Sequence, residues 1–67
     1  MKRYFELGVY ETEKSDGSGV LGHYHSMNDA KEAIAGFTKK ENQIFIIDEL
    51  EEQDDGTLRQ LGEWLYR

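Results

Sequence analysis

The sequence predicts a small α+β domain of ββαββ order, in which an antiparallel sheet carries one helix packed on one face. Two Asp-Gly pairs, Asp16-Gly17 and Asp55-Gly56, each lie between segments typical of β-strands, and Asp-Gly is a preferred hairpin turn. An amphipathic segment with a serine cap lies between the two predicted hairpins. A chain of 67 residues has room for one domain, so we expect residues 1–67 to form a single unit.

The first hairpin has a predicted register. If Asp16 and Gly17 are the two loop residues, Val9 pairs with Tyr24. One face of the hairpin then carries an apolar set, Phe5, Leu7, Val9, Val20 and Tyr24. The other face carries Tyr4, Glu6, Gly8, Tyr10, Leu21, His23 and His25. The first face is predicted to be buried, and the second is richer in aromatic groups than an ordinary solvated face.

A helix is predicted over residues 27–37. Ser26 followed three residues later by Asp29 resembles a capping box with aspartate in place of glutamate. Apolar residues then recur at helical spacing at Ala30, Ala33, Ile34 and Phe37. Gly36 and the two lysines that follow it are expected to mark the helix end.

The third strand begins in a β-branched run at residues 43–47, which is typical of an interior strand buried on both sides. With Asp55 and Gly56 as loop residues, Leu50 pairs with Leu61. The same register pairs Glu52 with Arg59, Ile47 with Trp64 and Ile46 with Leu65. It also places Asp48 opposite Glu63, a like-charge pair that costs stability.

The C-terminal segment, residues 57–66, has two interpretations. Leucines at positions 58, 61 and 65 have helical spacing, so this segment is alternatively a second helix. A recurrent Leu-Gly-x-aromatic tetrapeptide favours a strand, because an aromatic ring in a strand can cover the bare backbone of a nearby glycine. Its three copies are Leu7-Gly8-Val9-Tyr10, Leu21-Gly22-His23-Tyr24 and Leu61-Gly62-Glu63-Trp64.

The net charge of the chain limits the classes of partner that it can bind. Fourteen acidic against eight basic residues give a net charge of -6, which argues against direct binding of nucleic acid or of an anionic membrane and favours a basic partner. Acidity that serves only solubility explains the same balance. We expect neither a signal peptide nor a membrane span, and the absence of cysteine fits a cytoplasmic protein.

No catalytic, cofactor or metal site is predicted. His23 and His25 are alternate strand residues that could reach one metal ion, but the register supplies no third ligand. The acidic run at 48–55 fails the EF-hand pattern, since Gly62 stands where the loop requires glutamate. A chain this short is also expected to lack a substrate cleft of several hundred Å³.

The functional hypothesis is therefore a non-enzymatic module that binds another protein. One candidate surface is the acidic hairpin, with Asp48, Glu49, Glu51, Glu52, Asp54 and Asp55. The other is the aromatic face of the first hairpin, with Tyr4, Tyr10, Leu21 and His23.

A hairpin, a helix and a second hairpin in a small acidic chain resemble the small proteins of phages and mobile elements. On the acidic hairpin, alternate carboxylates such as Glu49 and Glu51 are expected to lie about 6.6 Å apart, a spacing comparable with that of phosphates along a nucleic-acid strand. This spacing predicts an inhibitor that mimics nucleic acid, of the anti-CRISPR or anti-restriction type. The alternative is a self-associating structural domain that forms a homodimer through the outer sheet face.

Overall fold

The predicted ββαββ architecture is confirmed by the structure, a computed structural model that describes residues 2–11 and 19–66. Its elements are β1 (Lys2–Glu11), β2 (Gly19–Tyr24), α1 (Met27–Ile34), β3 (Gln43–Glu52) and β4 (Leu58–Tyr66). The strands form one antiparallel sheet in the order β2-β1-β3-β4. The predicted turn at Asp16 and Gly17 lies outside the described residues. The described part of the chain includes no helix of the length and apolarity that a membrane crossing requires.

The hydrophobic core lies between α1 and the two central strands. Leu7 from β1, Phe45 and Ile47 from β3 and Ala30 from α1 are buried and form one cluster. Partly buried side chains pack around it, namely Phe5, Val9, Leu21, Tyr24, Met27, Ala33, Ile34 and Tyr66. The helix α1 packs on one face of the sheet, against β1 and β2, and within residues 2–11 and 19–66 no helix covers the opposite face.

The serine cap of α1 is confirmed. Ser26 has an extended backbone, with φ -139° and ψ 157°, and its Oγ accepts a hydrogen bond of 3.0 Å from the backbone N–H of Asp29. The helix ends at Ile34, three residues earlier than predicted, because the chain tightens into turns in which Gly36 N–H bonds to Ala33 O at 3.0 Å. Phe37 therefore lies beyond the helix and is exposed.

Replacing Ser26 with Ala should lower the free energy of unfolding by about 1 kcal/mol, because the first turn loses a partner for one of its N–H groups. Urea denaturation followed by circular dichroism measures this change. Replacement of Asn28, an exposed residue in the first turn of the same helix, with Ala is the control and should shift the midpoint much less. An unchanged midpoint for Ser26→Ala would show that the cap contributes nothing.

The register predicted for the first hairpin is wrong. Tyr24 lies opposite Phe5 rather than opposite Val9, a displacement of four residues along β1. Since side chains alternate with a period of two, this even displacement leaves Phe5, Val9 and Tyr24 on the predicted buried face.

A β-bulge between Leu7 and Gly8 then changes the alternation along β2. Val20 lies opposite Gly8 and is 57% exposed, contrary to the predicted burial. Leu21 packs against the core instead of lying on the outer face, so its assignment to an outer aromatic surface is corrected.

The C-terminal segment is a strand, and the alternative of a second helix is wrong. Its turn is longer than predicted. Gln53 N–H bonds to Thr57 O at 2.8 Å, and the positive φ of 87° belongs to Gly56, whereas a two-residue type I′ turn would also need one at Asp55. This turn places Leu50 opposite Gln60 rather than opposite Leu61.

A β-bulge in β4, opposite Glu49 and Leu50 of β3, restores the predicted pairing in the rest of the two strands. The extra residue lies on β4 and is Leu61. Beyond it, Ile46–Leu65, Ile47–Trp64 and Asp48–Glu63 pair as predicted. A shift of one residue would have turned every later side chain to the wrong face, so the bulge reconciles the turn with the apolar pattern.

The three Leu-Gly-x-aromatic segments place rings over glycines as predicted. A Cβ atom at Gly8 would lie 3.0 Å from the ring of Tyr10, and one at Gly62 would lie 2.7 Å from the ring of Trp64. At Gly22 the corresponding contact, 3.0 Å, is with the Tyr24 hydroxyl oxygen. Each aromatic side chain thus occupies the space that a side chain at the glycine would need.

Candidate functional site

The uncovered face of the sheet, called here the outer face, carries acidic side chains in a line across the strands. Glu6 on β1 lies opposite Asp48 on β3, and Asp48 lies opposite Glu63 on β4. These residues are called the carboxylate row. On β2 the line continues with His23, which lies opposite Glu6. Neighbouring strands are about 4.8 Å apart, so like charges meet at close range.

Hydrogen bonds from neighbouring side chains hold the row at both ends. The Nε2 atom of His23 lies 3.1 Å from Oε2 of Glu6. The amide Nε2 of Gln60 donates to Oδ1 of Asp48 at 3.0 Å and to Oε2 of Glu63 at 3.5 Å. Among the described residues, no lysine or arginine forms an ion pair with any of the three carboxylates. The row is therefore anchored but carries little compensating positive charge.

The crowded carboxylates change each other's ionisation. Partial burial raises the pKa of Asp48 above its ordinary value, and the neighbouring carboxylates of Glu63 and Glu6 raise it further. The hydrogen bond from Gln60 opposes these effects in part. The pKa of Tyr10 is also raised, first by burial and then by the negative charges of the row. A cation placed against this row would offset the repulsion among the negative charges, which is the smaller cause of both raised pKa values.

Aromatic and aliphatic side chains surround the row. Tyr4 packs edge-on against His23, with ring centroids 5.1 Å apart. Ile46 lies two residues from Asp48 on β3, and therefore on the same face of the sheet. It lies opposite Leu65, which is 51% exposed. The outer face therefore combines a central line of negative charge with an apolar and aromatic border, a combination suited to a protein interface.

The acidic hairpin predicted as one surface is divided between the two faces of the sheet. Asp48 and Glu52 pair with Glu6 and Lys2 of β1, on the outer face. The carboxylates of Glu49 and Glu51 lie on the helix side, opposite Phe5 and Arg3.

Glu51 is buried and has partners within the chain. Its Oε2 accepts from Nε of Arg3 at 3.2 Å, and its Oε1 accepts from Nε2 of Gln53 at 2.9 Å. These hydrogen bonds, led by that from Gln53, hold the pKa of Glu51 below its ordinary value. Its geometry is that of a carboxylate used to join β1 to β3.

Asp55 stabilises the β3–β4 turn. Its Oδ1 accepts hydrogen bonds from the backbone N–H of Thr57 at 3.0 Å and from the Thr57 hydroxyl at 2.7 Å. The same bonds hold the pKa of Asp55 below its ordinary value. Of the acidic hairpin, Glu52 and Asp54 remain as exposed acids without such a structural bond in the described part of the chain.

A shallow groove adjoins the outer face at the end of the strands, contrary to the expectation that so short a chain has no such space. Its volume is about 410 Å³. It is lined by Lys2, Tyr4, His23, Tyr24, His25, Glu52, Gly56 and Leu58. Both histidines of the His-Tyr-His segment contribute to it. No group of three metal-binding side chains converges within residues 2–11 and 19–66.

Sequence reasoning found parts of this site and missed others. Tyr4, Tyr10 and His23 were predicted on the outer face, and Asp48 was predicted opposite Glu63. The contribution of Glu6 to the row was missed, because it requires β1 to lie beside β3. The β3 segment has the pattern of an interior strand, which is consistent with β1 as its neighbour. The local patterns, however, do not give the register between β1 and β3.

The chain was compared with known protein families, curated proteins and solved structures. No protein-family model, curated protein or solved structure matches it.

Proposed function

We propose that this chain is a non-enzymatic interaction module whose outer face binds a basic surface on a protein partner. The observation that carries the proposal is the carboxylate row, Glu6–Asp48–Glu63, on a sheet face that no helix of the described residues covers. Lysine or arginine side chains of a partner would enter between these carboxylates. The net charge of -6 would accelerate the encounter with such a partner.

The row has a cost that supports the proposal. Like charges directly opposite each other in a sheet are destabilising, and a small domain has little stability to spare. Places where a sequence breaks such a local rule are often functional sites. A basic partner would convert this repulsion into attraction, so the unfavourable term in the free protein becomes a favourable difference on binding.

The border of the row supplies the other ingredient of an interface. Tyr4 and Tyr10 offer large, rigid surfaces, and tyrosine is enriched at interface cores. Apolar contacts around the row would exclude water from the charge pairs and so strengthen them. A partner that presents a basic cluster bordered by apolar side chains has the matching chemistry.

A finer proposal is that the partner is a nucleic-acid-binding protein and that the carboxylates replace phosphates. The acidity of the chain supports it, as do the exposed acids Glu52 and Asp54 near the end of the same hairpin. Such an inhibitor should be displaced by the nucleic acid that its partner binds. It would also lose affinity steeply as the salt concentration rises.

Homodimer formation through the outer face is the weaker alternative. Two copies docked by this face would bring two carboxylate rows together at neutral pH, without a lysine or arginine paired to either row in the described residues. Like-charge juxtaposition at an interface costs several kcal/mol. A basic partner avoids that repulsion.

The test compares pairs of substitutions that each remove two negative charges. Asp48→Asn with Glu63→Gln alters the row, Glu52→Gln with Asp54→Asn alters the turn, and Glu32→Gln with Glu41→Gln is a control elsewhere. Affinity capture from cells with the unaltered protein, followed by mass spectrometry, supplies the partner. Dissociation constants are then measured with purified components.

The row pair should weaken binding by at least about tenfold, while the control pair should change it by less than about twofold, because only charges at the interface lose a close partner. A loss confined to the turn pair would move the docking surface to Glu52 and Asp54 and contradict the row. Equal affinity for all variants would contradict electrostatic docking altogether. Competition by DNA or RNA for the same partner would support mimicry.

A further inference from the structure

The β4 strand forms an edge of the sheet with the features of a strand that lacks a neighbour. It is nine residues long, and one side of its backbone pairs with β3, while no strand of the described part of the chain pairs with the other side. Leu58 is 55% exposed and Leu65 is 51% exposed. Proteins usually protect such edges with charged residues, proline, a bulge or a short strand. Leu58–Tyr66 is long and contains no lysine and no proline, and its protection is limited to Arg59, Glu63 and the bulge at Leu61. The other edge strand, β2, has six residues and packs against α1.

We propose that β4 pairs antiparallel with β4 of a second copy of this chain, which joins the two sheets into one of eight strands. The twofold axis passes between Leu61 and Gly62, perpendicular to the sheet. Such an interface is isologous, since the same strand contributes from both copies. It also removes the open edge from both molecules at once.

The bulge selects the register. Leu58 and Gln60 before the bulge and Glu63 and Leu65 after it pair with even-numbered residues of β3, and all four belong to the outer face. Side chains opposite each other across two strands must share a face. With one extra residue, Leu61, in each copy, faces match along the whole strand only when the part before the bulge meets the part after it. The register that does this over the whole strand places Leu58 opposite Leu65 of the other copy.

The pairs produced by this register are chemically compatible. On the outer face, Leu58 meets Leu65 and Gln60 meets Glu63, an apolar pair and a hydrogen-bonding pair. On the helix side, Arg59 meets Trp64, which is 39% exposed, and a guanidinium over an indole ring is a favourable contact. At the centre, Leu61 meets Gly62, whose bare backbone is covered by the Trp64 ring of its own chain.

Charge excludes the competing arrangements. Registers centred on residue 63 would place Glu63 opposite Glu63, and those centred on residue 59 would place Arg59 opposite Arg59. Within β4 one positive and one negative side chain balance each other, although the whole chain carries a net charge of -6. The β4 edge therefore adds no net charge of its own to the repulsion between two acidic copies.

This inference does not depend on the proposed function. A twofold axis perpendicular to the sheet keeps both outer faces on the same side, so both carboxylate rows would stay open to a partner. The dimer would present two rows on one continuous surface. The proposed partner could bind either the single chain or the dimer.

Cysteine cross-linking tests the register, and the chain has no cysteine of its own to interfere. Leu58→Cys and Leu65→Cys are prepared as separate full-length variants and mixed under mild oxidation. Opposite residues in antiparallel strands have Cα atoms about 4.5–5.5 Å apart, within the range of a disulfide. Two copies of residue 58, in contrast, lie about 23 Å apart, seven residues along the strand.

The mixture should yield a disulfide between the two variants, whereas either variant alone should yield little. The same mixture in urea gives the yield from random collision and is the control. Equal cross-linking of the single variants and of the mixture would overturn this register. The absence of cross-links above the urea control would do so too.

Charge complementation tests the interface without a covalent bond. Leu58→Lys and Leu65→Glu each place a charge opposite a leucine twice, so each should weaken self-association, measured by sedimentation equilibrium, by about tenfold. An equimolar mixture should recover association, because a lysine then meets a glutamate across the strands. Val20→Lys, at the opposite edge, should leave association unchanged. A chain that remains monomeric at every concentration would overturn the proposal.

Discussion

Replacing Leu7 with Ala should leave most of the protein unfolded at room temperature. Leu7 of β1 is fully buried and belongs to the small core cluster, together with residues of α1 and β3. Truncation of a buried leucine typically costs about 2–5 kcal/mol, since it removes apolar contacts and leaves a cavity. A domain of this size rarely has more than about 3–5 kcal/mol in total. The loss is therefore comparable with the whole stability.

Thermal or urea denaturation followed by circular dichroism measures the effect. Ile47→Ala should behave like Leu7→Ala, because Ile47 is also fully buried and lies opposite Leu7. Val20→Ala is the matched control, since Val20 is exposed at the sheet edge and should tolerate truncation. A cooperative transition for Leu7→Ala at an unchanged midpoint would show that the core lies elsewhere.

Replacing Asp48 with Asn should stabilise the free protein at neutral pH by about 0.5–2 kcal/mol, since it removes two cross-strand like-charge pairs of about 0.2–1 kcal/mol each. The substitution removes the central charge of the carboxylate row, which faces Glu6 and Glu63 directly. The amide oxygen of asparagine can still accept the hydrogen bond that Gln60 donates to Asp48. The repulsion is thus relieved without an unsatisfied polar group.

The pH dependence of this gain has a definite sign. The pKa of Asp48 is raised in the folded state, so the folded state binds its proton more readily than the unfolded chain does. Ionisation of Asp48 therefore costs folding stability as the pH rises from its ordinary value of 3.8 through the raised pKa. Asp48→Asn should show its full advantage above the raised pKa and lose it in acid.

Unfolding free energies measured from acid to neutral pH test this prediction. Asp54→Asn removes the same charge from the exposed turn and should change stability little at any pH. A gain for Asp48→Asn that persists unchanged in acid would show that the effect is not electrostatic. Reduced partner binding by the same stabilised variant would indicate that the row is kept for binding at the expense of stability.

Glu51 and Asp55 act in the opposite direction on acid stability. Their pKa values are lowered by hydrogen bonds within the fold, so their contribution is present above the ordinary carboxyl range and is lost as the pH falls through the lowered values. The acidic hairpin thus contains both stabilising and destabilising carboxylates. Their total charge alone could not have distinguished them.

The candidate site shows how far local patterns reach. The turn signal and the apolar run predicted that Asp48 lies opposite Glu63, and the structure places it there. Leu21 was assigned to the outer face by simple alternation and instead packs against the core, because a bulge in the β1–β2 pair changes the alternation. A bulge adds one residue without a distinctive sequence of its own, so faces assigned by strict alternation are wrong beyond it.

The sequence by itself determined the elements and the contacts made within a few residues. Ser26 caps the helix, Gly56 turns the second hairpin and each aromatic covers the glycine two residues before it, because these interactions depend on local backbone geometry and side-chain size. Only the tertiary structure decided that β1 lies between β2 and β3 and brings Glu6 beside Asp48. Pairing between β1 and β3, more than thirty residues apart in the chain, depends on how the whole apolar surface is buried, and no local signal encodes it.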